Sequence, residues 1–286
     1  SGVISGDIVT LDTASALGTF TGEHVGIGIS VNVSGLAAAG AGAGNYLVTQ
    51  PTGITANITA RALTVTNITA GDKIYDGNAV AALDASAAVL TGNIIGDDVI
   101  LDTSSITGAF ADNSVGTGKT VTISGLSLTG ADAGNYLLSS TTALTTANIA
   151  AKDLTVSGSF TSNNKIYDGD LTATINSNNL VLEGIVSGDE VNLTPVLVFS
   201  DNNAGSGKTV SLTGSSIDNS NYNLSLASAP TTTADITPKA LIVAGITAEN
   251  KVYDGTTVAT LDVSSATLEG VVGAEDVRLD TTSATG

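Results

Sequence analysis

Hydrophobic and polar residues alternate with a period of two in short stretches along the whole chain. The clearest stretches begin with valine and end with leucine around a variable middle residue, at residues 9–11, 99–101, 191–193 and 277–279. An alternation that leaves the middle position free is typical of a half-buried β-strand. Similar alternation occurs at residues 63–65, 119–123 and 241–243, and no stretch has a helical period. The pattern predicts an all-β protein.

Clusters of Gly, Asp and Asn separate these strands at short intervals, for example at residues 96–98, 116–118 and 130–135. Such residues supply the positive φ angles and local hydrogen bonds of tight turns. Several short strands between turns indicate a β-sandwich of Ig-like type. A β-grasp-like sheet remains the alternative, because the pattern does not fix the order of the strands.

Two short motifs recur along the chain, Lys-x-Tyr-Asp-Gly and Asn-Tyr. Each returns after about 90 residues, which is the signature of a tandem array of one domain-sized unit. We expect these residues to be structural positions of the repeat: Tyr75, Asp76, Gly77, Tyr167, Asp168, Gly169, Tyr253, Asp254, Gly255, Asn45, Tyr46, Asn135, Tyr136, Asn221 and Tyr222.

The phase of the motifs divides the chain into four segments. Residues 1–60 are the C-terminal part of a truncated repeat, 61–150 and 151–238 are complete repeats, and 239–286 are the N-terminal part of another truncated repeat. We expect the chain to be a section of a longer polypeptide. No Gly/Ser-rich or Pro-rich spacer lies between the segments, so we expect the repeats to form a stiff, extended rod.

Composition narrows the function classes. The formal net charge of −18 argues against a nucleic-acid partner, whose phosphates require a basic surface. The chain contains no Cys, which excludes disulfides and thiol chemistry. No apolar stretch approaches the roughly 20 residues that a membrane helix needs.

The six tyrosines all lie in the two repeated motifs, and the chain has no Trp. We expect these rings to anchor the core of each repeat together with Phe20, Phe110 and Phe199, with each tyrosine hydroxyl bonded to the backbone. The alternative is an exposed platform of tyrosine rings on which sugars stack.

Metal binding and catalysis find little support in the sequence. Pairs of acidic residues in turns are weak candidates for Ca²⁺, which prefers clustered oxygen ligands; they are Asp97, Asp98, Asp189, Glu190, Glu275 and Asp276. We expect no other cofactor. The single His24 has no counterpart in the other repeats, so no repeated triad or metal site is predicted, and we expect no enzymatic activity.

Five ordered motifs give the chain a resemblance to a known family: Lys-x-Tyr-Asp-Gly, Gly-Asp-x-Val-x-Leu, Gly-x-Gly-Lys-x-Val, Asn-Tyr-x-Leu and the closing Ala-x-Ile-x-x-Lys-x-Leu-x-Val. Together they resemble the YDG-type and MBG-type repeats of very large bacterial surface and secreted adhesins, including filamentous-haemagglutinin-like exoproteins. The resemblance implies an extracellular array at the bacterial cell surface, of the kind found in adhesion and biofilm matrix. The first copy departs from the pattern, since Ile29 replaces the lysine of the Gly-Lys motif.

We therefore expect a non-catalytic stalk or extracellular filament whose partners are the neighbouring repeats and, in a fibre, identical chains. The alternative is a multivalent module in which each repeat binds glycan or mucin weakly. The sequence does not decide whether chains associate laterally, head to tail or through calcium.

Overall fold

The computed structural model describes residues 2–284. Within this range the chain consists of short β-strands, and its helical structure is limited to two 3₁₀ turns, Ala43–Asn45 and Ala133–Asn135. The prediction of an all-β protein is confirmed. None of the described residues forms a helix of the length and hydropathy that a bilayer crossing requires.

The chain divides into two compact units. One unit holds the residues up to Lys73 together with Asn78–Ile149, and the other holds Ile74–Gly77 together with the residues from Ala150 onwards. The short segment 74–77 contains the first Tyr-Asp-Gly motif. The residues that flank it on both sides belong to the first unit.

The strands are numbered in chain order. Segment 1–60 contains β1 (Thr10–Asp12), β2 (Leu17–Phe20), β3 (Gly26–Ser34), β4 (Ala37–Ala39) and β5 (Thr55–Ile58). Segment 61–150 contains β6 (Arg61–Thr66), β7 (Thr69–Ala70), β8 (Lys73–Ile74), β9 (Val80–Ala81), β10 (Leu83–Asp84), β11 (Val89–Thr91), β12 (Ile100–Asp102), β13 (Thr107–Phe110), β14 (Gly116–Ser124), β15 (Ser127–Thr129), β16 (Tyr136–Leu138) and β17 (Ala143–Ala150).

The same succession continues in the second half of the chain. Segment 151–238 contains β18 (Lys152–Ser162), β19 (Lys165–Ile166), β20 (Thr172–Ala173), β21 (Ile175–Glu183), β22 (Leu193–Thr194), β23 (Leu197–Phe199), β24 (Gly205–Ser211), β25 (Ser216–Ile217), β26 (Tyr222–Ser225) and β27 (Thr232–Thr237). Segment 239–286 contains β28 (Ile242–Ala244), β29 (Thr247–Ala248), β30 (Leu261–Asp262) and β31 (Thr267–Glu269).

The two larger sheets of the repeat 151–238 share one core, and β22 and β25 form a further two-stranded ribbon. A three-stranded sheet has the order β21-β18-β26, and a five-stranded sheet has the order β19-β27-β24-β23-β20. Phe160 and Val156 of the smaller sheet share one buried cluster with Phe199, Val210 and Ile236 of the larger sheet. The alternation of buried and exposed residues along β24 and β27 follows from the pleat, which directs every second side chain towards this core.

The repeat 61–150 has corresponding sheets, β11-β6-β16 and β8-β17-β14-β13-β9. Ile68, Ile123 and Leu126 form one of its buried clusters, and Val121 and Phe110 are also buried. Two small ribbons, β10-β7 and β12-β15, complete the repeat. The strands predicted at residues 63–65 and 119–123 lie in β6 and β14.

Parallel strand pairs occur among the described residues, and the expected sandwich of antiparallel sheets does not contain them. They include β6 with β16, β18 with β26, and β19 with β27. In each pair the first strand comes from the beginning of a repeat and the second from its end. Each complete repeat therefore closes on itself, and the strands β8 and β19, which precede the first two Tyr-Asp-Gly motifs, lie beside β17 and β27, the last strands of their own repeats.

Two local predictions were wrong. Residues 116–118 were expected to form a turn but begin strand β14, where a register shift between Gly116 and Lys119 marks a β-bulge. Gly118 has a φ of 61° at this bulge, and its N–H donates to Asn148 Oδ1 at 2.7 Å. These glycines therefore form a β-bulge within a strand and not a turn that reverses the chain. The segment 277–279 was expected to be a strand, yet it pairs with no described residue as a strand.

Candidate functional site

The first Tyr-Asp-Gly motif ends in a buried contact within the second unit. Strand β8 extends into Tyr75, whose N–H donates to the carbonyl of Ala150 at 2.8 Å. The Tyr75 side chain is only 4% exposed. Its hydroxyl donates to Asp189 Oδ2 at 2.8 Å. The tyrosine of one repeat is therefore held by an acidic residue of the repeat that follows.

The same carboxylate oxygen accepts a second tyrosine. The hydroxyl of Tyr222, the tyrosine of the Asn-Tyr motif, donates to Asp189 Oδ2 at 2.6 Å and accepts the Val186 N–H at 3.0 Å. The rings of Tyr75 and Tyr222 meet edge to face with centroids 5.4 Å apart, a favourable aromatic geometry. We call the acid, the Asn-Tyr tyrosine and the residue that donates its N–H a socket, and the Tyr-Asp-Gly residues a docking segment.

The hydrogen bonds to Asp189 hold its charged form. The hydroxyls of Tyr222 and Tyr75 lower the pKa of Asp189 below its usual 3.8. Burial of the phenol and the hydrogen bond to Asp189 raise the pKa of Tyr222 to about 12. The hydrogen bond to Asp189 likewise raises the pKa of Tyr75. The contact therefore consists of an ionised acceptor between two neutral donors, an arrangement stronger than hydrogen bonds between neutral groups.

The glycine of the docking segment is required for two reasons, its backbone conformation and the lack of space for a Cβ. Gly77 has a φ of 83°, which side-chain-bearing residues rarely adopt, and a Cβ at this position would lie 2.9 Å from Val186 Cγ1. Gly169 has a φ of 85°, and its Cβ would lie 3.0 Å from Val272 Cγ1. Each glycine thus lets the backbone turn directly against the apolar side chain beside the socket.

The second docking segment uses the same chemistry. The Tyr167 hydroxyl donates to Glu275 Oε1, in the segment that follows its own repeat. That hydrogen bond, together with burial, raises the pKa of Tyr167. Glu275 occupies the sequence position that corresponds to Asp189, so a longer acid replaces the aspartate without loss of the contact.

Further sockets occur in the first unit. Tyr136 donates to Asp97 and accepts the Ile94 N–H at 3.0 Å. Tyr46 donates to Asp7 at 2.7 Å and accepts the Ile4 N–H at 2.8 Å. All three Asn-Tyr tyrosines therefore bind an acid and a backbone N–H located 33 to 42 residues earlier in the same repeat.

The lysine of the motif closes the docking segment. Lys165 Nζ donates to the carbonyls of Asp170 at 2.9 Å and Thr172 at 3.1 Å, and it pairs with the carboxylates of Asp168 and Asp170. Although burial lowers it, the hydrogen bonds to these two carboxylates raise the pKa of Lys165 overall. The ammonium also lies 5.7 Å from the Phe199 ring centroid. One cation thus fixes both ends of the loop that carries the tyrosine.

The asparagine of the Asn-Tyr motif adds a second contact between consecutive repeats. In the first unit, Asn135 Oδ1 accepts the Val25 N–H at 3.0 Å, and Asn135 Nδ2 lies 3.1 Å from His24 Nδ1. His24 and Val25 belong to the segment 1–60. The lone histidine therefore contacts an amide at a repeat junction, while Asn45 ends the 3₁₀ turn of its own segment.

The six acidic residues predicted as weak calcium ligands have other partners or positions. Asp97, Asp189 and Glu275 accept tyrosine hydroxyls. Asp98 accepts the Ala131 N–H, Asp276 pairs with Arg278, and Glu190 is exposed beside Asp189. Within residues 2–284 there is no cluster of three or more acidic or histidine side chains that could hold a metal ion. Calcium binding stays an untested prediction.

Sequence reasoning placed the tyrosines in the core of their own repeats but missed the contact between repeats. Tyr75 and Asp189 are separated by 114 positions, and no local pattern reports such a pairing. A usable signal was present, because an acid recurs at the same position as Asp7, Asp97, Asp189 and Glu275. An acid that persists at one position of each repeat indicates a fixed partner.

Comparison with known proteins agrees with this periodicity. The YDG domain family matches the chain in four consecutive stretches, residues 1–53, 59–143, 150–233 and 237–286. No curated protein and no solved structure matches the chain. The matched stretches include every docking segment and every socket described above. The chain therefore belongs to the YDG domain family.

Proposed function

We propose that this chain is a section of a structural stalk or extracellular filament of a giant bacterial surface or secreted adhesin, built from Ig-like sandwiches in an extended rod. The observation that carries the proposal is the contact of the first two Tyr-Asp-Gly segments with the repeat that follows, through Tyr75 to Asp189 and through Tyr167 to Glu275. A repeated contact of this kind fixes neighbouring repeats to each other. A protein that must project or bear load over a distance needs such fixed junctions.

The strength of the junction supports a mechanical role. Hydrogen bonds to a charged group contribute about 1.5–3 kcal/mol in proteins, which exceeds the contribution of neutral pairs. The Tyr75 ring adds the burial of a large aromatic side chain, and Gly77 allows close packing beside Val186. A flexible tether would have no use for a buried contact such as that of Tyr75 between consecutive repeats.

A non-catalytic role is part of the proposal. The acids that a sequence reading would assign to chemistry are engaged by tyrosines, as in the case of Asp97 and Asp189. The contact that recurs between repeats is the hydrogen bond from a tyrosine to an acid, as in Tyr75 with Asp189 and Tyr167 with Glu275. Export to the cell surface is likewise proposed from the family to which the chain belongs and from the acidic surface that keeps such an array soluble.

Glycan binding, the alternative function, finds weaker support. Stacking on sugars requires exposed aromatic faces, yet Tyr75, Tyr136 and Tyr222 are each no more than 6% exposed. Tyr253 is 93% exposed, but it carries the same motif as the buried Tyr75. The tyrosines therefore support junction formation better than a sugar platform.

The stiffness of a junction can be tested by distance measurement inside the second unit. Because the chain has no Cys, spin labels can be placed only at Thr209→Cys in the third repeat and Thr260→Cys in the fourth segment, both at exposed positions. We expect pulsed electron resonance to give one narrow distance distribution. Tyr167→Ser should broaden it, and the matched change Tyr253→Ser should not.

A broad distribution in the otherwise unchanged protein would refute the stiff junction, and with it the stalk. Surface export has its own test. Antibodies raised against the 286-residue chain should label intact cells of the source organism along straight fibres, and labelling confined to permeabilised cells would refute that part of the proposal.

A further inference from the structure

The residue that precedes β8 contacts the last strand of its own repeat. In the repeat 61–150, the Asn148 N–H of β17 donates to Asp72 Oδ1 at 2.7 Å, and Asn148 Nδ2 donates to Asp72 Oδ2 at 2.9 Å. These two hydrogen bonds lower the pKa of Asp72 below its usual 3.8. The carboxylate of Asp72 is therefore held in its charged form by two donors of one residue.

The repeat 151–238 has the same contact with the two residue types interchanged. Its last strand β27 carries Asp235 at the position of Asn148, and Asn164 precedes β19 at the position of Asp72. The Asp235 N–H donates to Asn164 Oδ1 at 2.8 Å. Each complete repeat therefore combines one acid with one amide, but the acid precedes β8 in one repeat and lies in the last strand of the other.

A second contact fixes the side chain of the last strand. The Gly118 N–H donates to Asn148 Oδ1 at 2.7 Å, and the Gly207 N–H donates to Asp235 Oδ1 at 2.7 Å. Both glycines have a positive φ and lie at a β-bulge in the adjacent strand. With Oδ1 engaged by the bulge, the other atom of Asn148 is a donor, Nδ2, whereas the other atom of Asp235 is an acceptor, Oδ2. The two last strands therefore differ in the chemistry that they offer to a neighbouring strand.

A swap of β8 and β19 between the two repeats would mismatch both pairs. Asp72 beside Asp235 would bring two carboxylates together, and like charges opposite each other destabilise a strand pair. Asn164 beside Asn148 would pair two neutral amides and lose the charge-assisted hydrogen bond. The native arrangement is the one of the two that gives each pair a single carboxylate.

We propose that the edges of the last strands are selective interaction surfaces, so that β17 accepts a strand preceded by an acid and β27 accepts a strand preceded by an amide. The partner that fits each edge is the beginning of its own repeat. The disfavoured partner is the equivalent strand of a neighbouring repeat or of a second copy of the chain. Misassembly of this kind is a characteristic failure of repeat proteins, and a repulsive contact in the wrong pairing suppresses it. This selectivity would hold whether or not the chain forms a stalk.

Reversal of the pair within one repeat tests its complementarity. Asn148→Asp places a second carboxylate beside Asp72, and we expect hydrogen exchange of the β17 amides, corrected for intrinsic rates, to become about threefold faster. Addition of Asp72→Asn recreates the arrangement of the repeat 151–238 and should restore the original rate. The matched control adds Asp12→Asn instead. This control has the same net charge, but it changes an exposed acid that accepts the Ala14 N–H in its own turn, and it should not restore the rate.

Disulfide trapping tests the choice of partner. Ile166 of β19 lies opposite Thr237 of β27, and Ile74 of β8 is the counterpart of Ile166. A disulfide in the variant Ile74→Cys, Thr237→Cys therefore reports β8 on the wrong last strand, within one chain or between two copies. During refolding under mild oxidation, we expect the yield of this disulfide, located by mass spectrometry, to rise about threefold when Asp235→Asn removes the repelling carboxylate.

The control for this trapping experiment is Glu190→Gln, which removes one charge from an exposed position of the same repeat. It should leave the yield of the disulfide unchanged. Hydrogen exchange in the reversed pair as fast as in Asn148→Asp alone would overturn the proposal. Equal disulfide yields with Asp235→Asn and with Glu190→Gln would also overturn it.

Discussion

Tyr75 and Tyr253 belong to nearly identical pentapeptides and yet differ completely in environment. Tyr75 is 4% exposed against Asp189 and Tyr222, and Tyr253 is 93% exposed. The lysine contacts that close the loop are nevertheless the same, since Lys73 donates to the carbonyls of Asn78 and Val80 as Lys251 does to Thr256 and Val258. Loop conformation is therefore a local property of the motif, and burial of the tyrosine depends on a socket supplied by another repeat.

The largest expected effect comes from truncating the two tyrosines. Tyr75→Ala should destabilise the second unit by about 3–5 kcal/mol, because it removes a buried ring and leaves a cavity. Tyr253→Ala should change stability by less than about 0.5 kcal/mol, as expected for an exposed side chain. Hydrogen exchange of the Val186 and Tyr222 amides measures both free energies of opening. Equal effects of the two substitutions on stability would contradict the conclusion that only Tyr75 is held in a socket.

The next largest difference in stability should come from substituting the glycines of the two Tyr-Asp-Gly loops, Gly77 and Gly255. Gly77→Ala introduces both a strained positive φ and a Cβ within 2.9 Å of Val186, whereas the Cβ of Gly255→Ala meets no atom within 4 Å. The strain common to both costs about 1–2 kcal/mol. We expect Gly77→Ala to exceed Gly255→Ala by at least about 1 kcal/mol in urea unfolding followed by circular dichroism, because overpacking adds to the strain.

The carboxylate of Asp189 should contribute more to stability than that of the adjacent Glu190. Asp189→Asn keeps the shape but removes the charge that accepts two phenols, so we expect a smaller loss of stability than for Tyr75→Ala, in which the ring is removed as well. Glu190→Gln changes an adjacent exposed acid and serves as the control. Unfolding midpoints in urea rank the three variants. A loss in Glu190→Gln as large as that in Asp189→Asn would indicate a general charge effect.

The dependence of the junction on pH is the smallest expected effect at neutral pH. Because the folded pKa of Asp189 is lowered below 3.8, its contribution is present above that value and is lost as the pH falls through the folded pKa. The folded pKa of Tyr222 is raised to about 12, so its contribution is complete below about pH 10 and is lost as the pH rises towards 12. Stability should therefore be flat between these limits.

Other aspartates with lowered pKa values also contribute to acid unfolding, so the informative quantity is a difference. Stability measured against pH for the unchanged chain and for Asp189→Asn should differ by a constant amount in the neutral range and converge in acid. A difference that persists unchanged below the folded pKa of Asp189 would show that the carboxylate charge does not hold the tyrosines.

Some features of this fold could be predicted from the sequence alone. Alternation of side chains at residues 119–123 is a local consequence of the pleat, and it correctly placed strand β14. The periodic motifs correctly indicated the repeat array and its family. These features are readable because each depends on neighbours in sequence or on direct comparison of copies.

The parts that were missed depend on long-range pairing. The parallel contact between β18 and β26 brings together residues about 70 positions apart, and alternation carries no information on which strands become neighbours. The bulge at Gly118 has the same Gly-rich sequence as a turn, so composition alone predicted the wrong structure. The socket could not be predicted for both reasons: Asp189 lies in a sequence typical of an exposed turn, and its partner Tyr75 is 114 residues away.

The contact between Tyr167 and Glu275 has a consequence for twisting. The third repeat and the segment that follows it are joined by the chain itself, through Pro238 and its neighbours, and also by the docked tyrosine, both within the second unit. A single covalent link leaves rotation about its own bonds free, whereas two separated attachments remove that rotation. Torque applied at one end of such a pair is therefore transmitted through the junction instead of being dissipated in the linker.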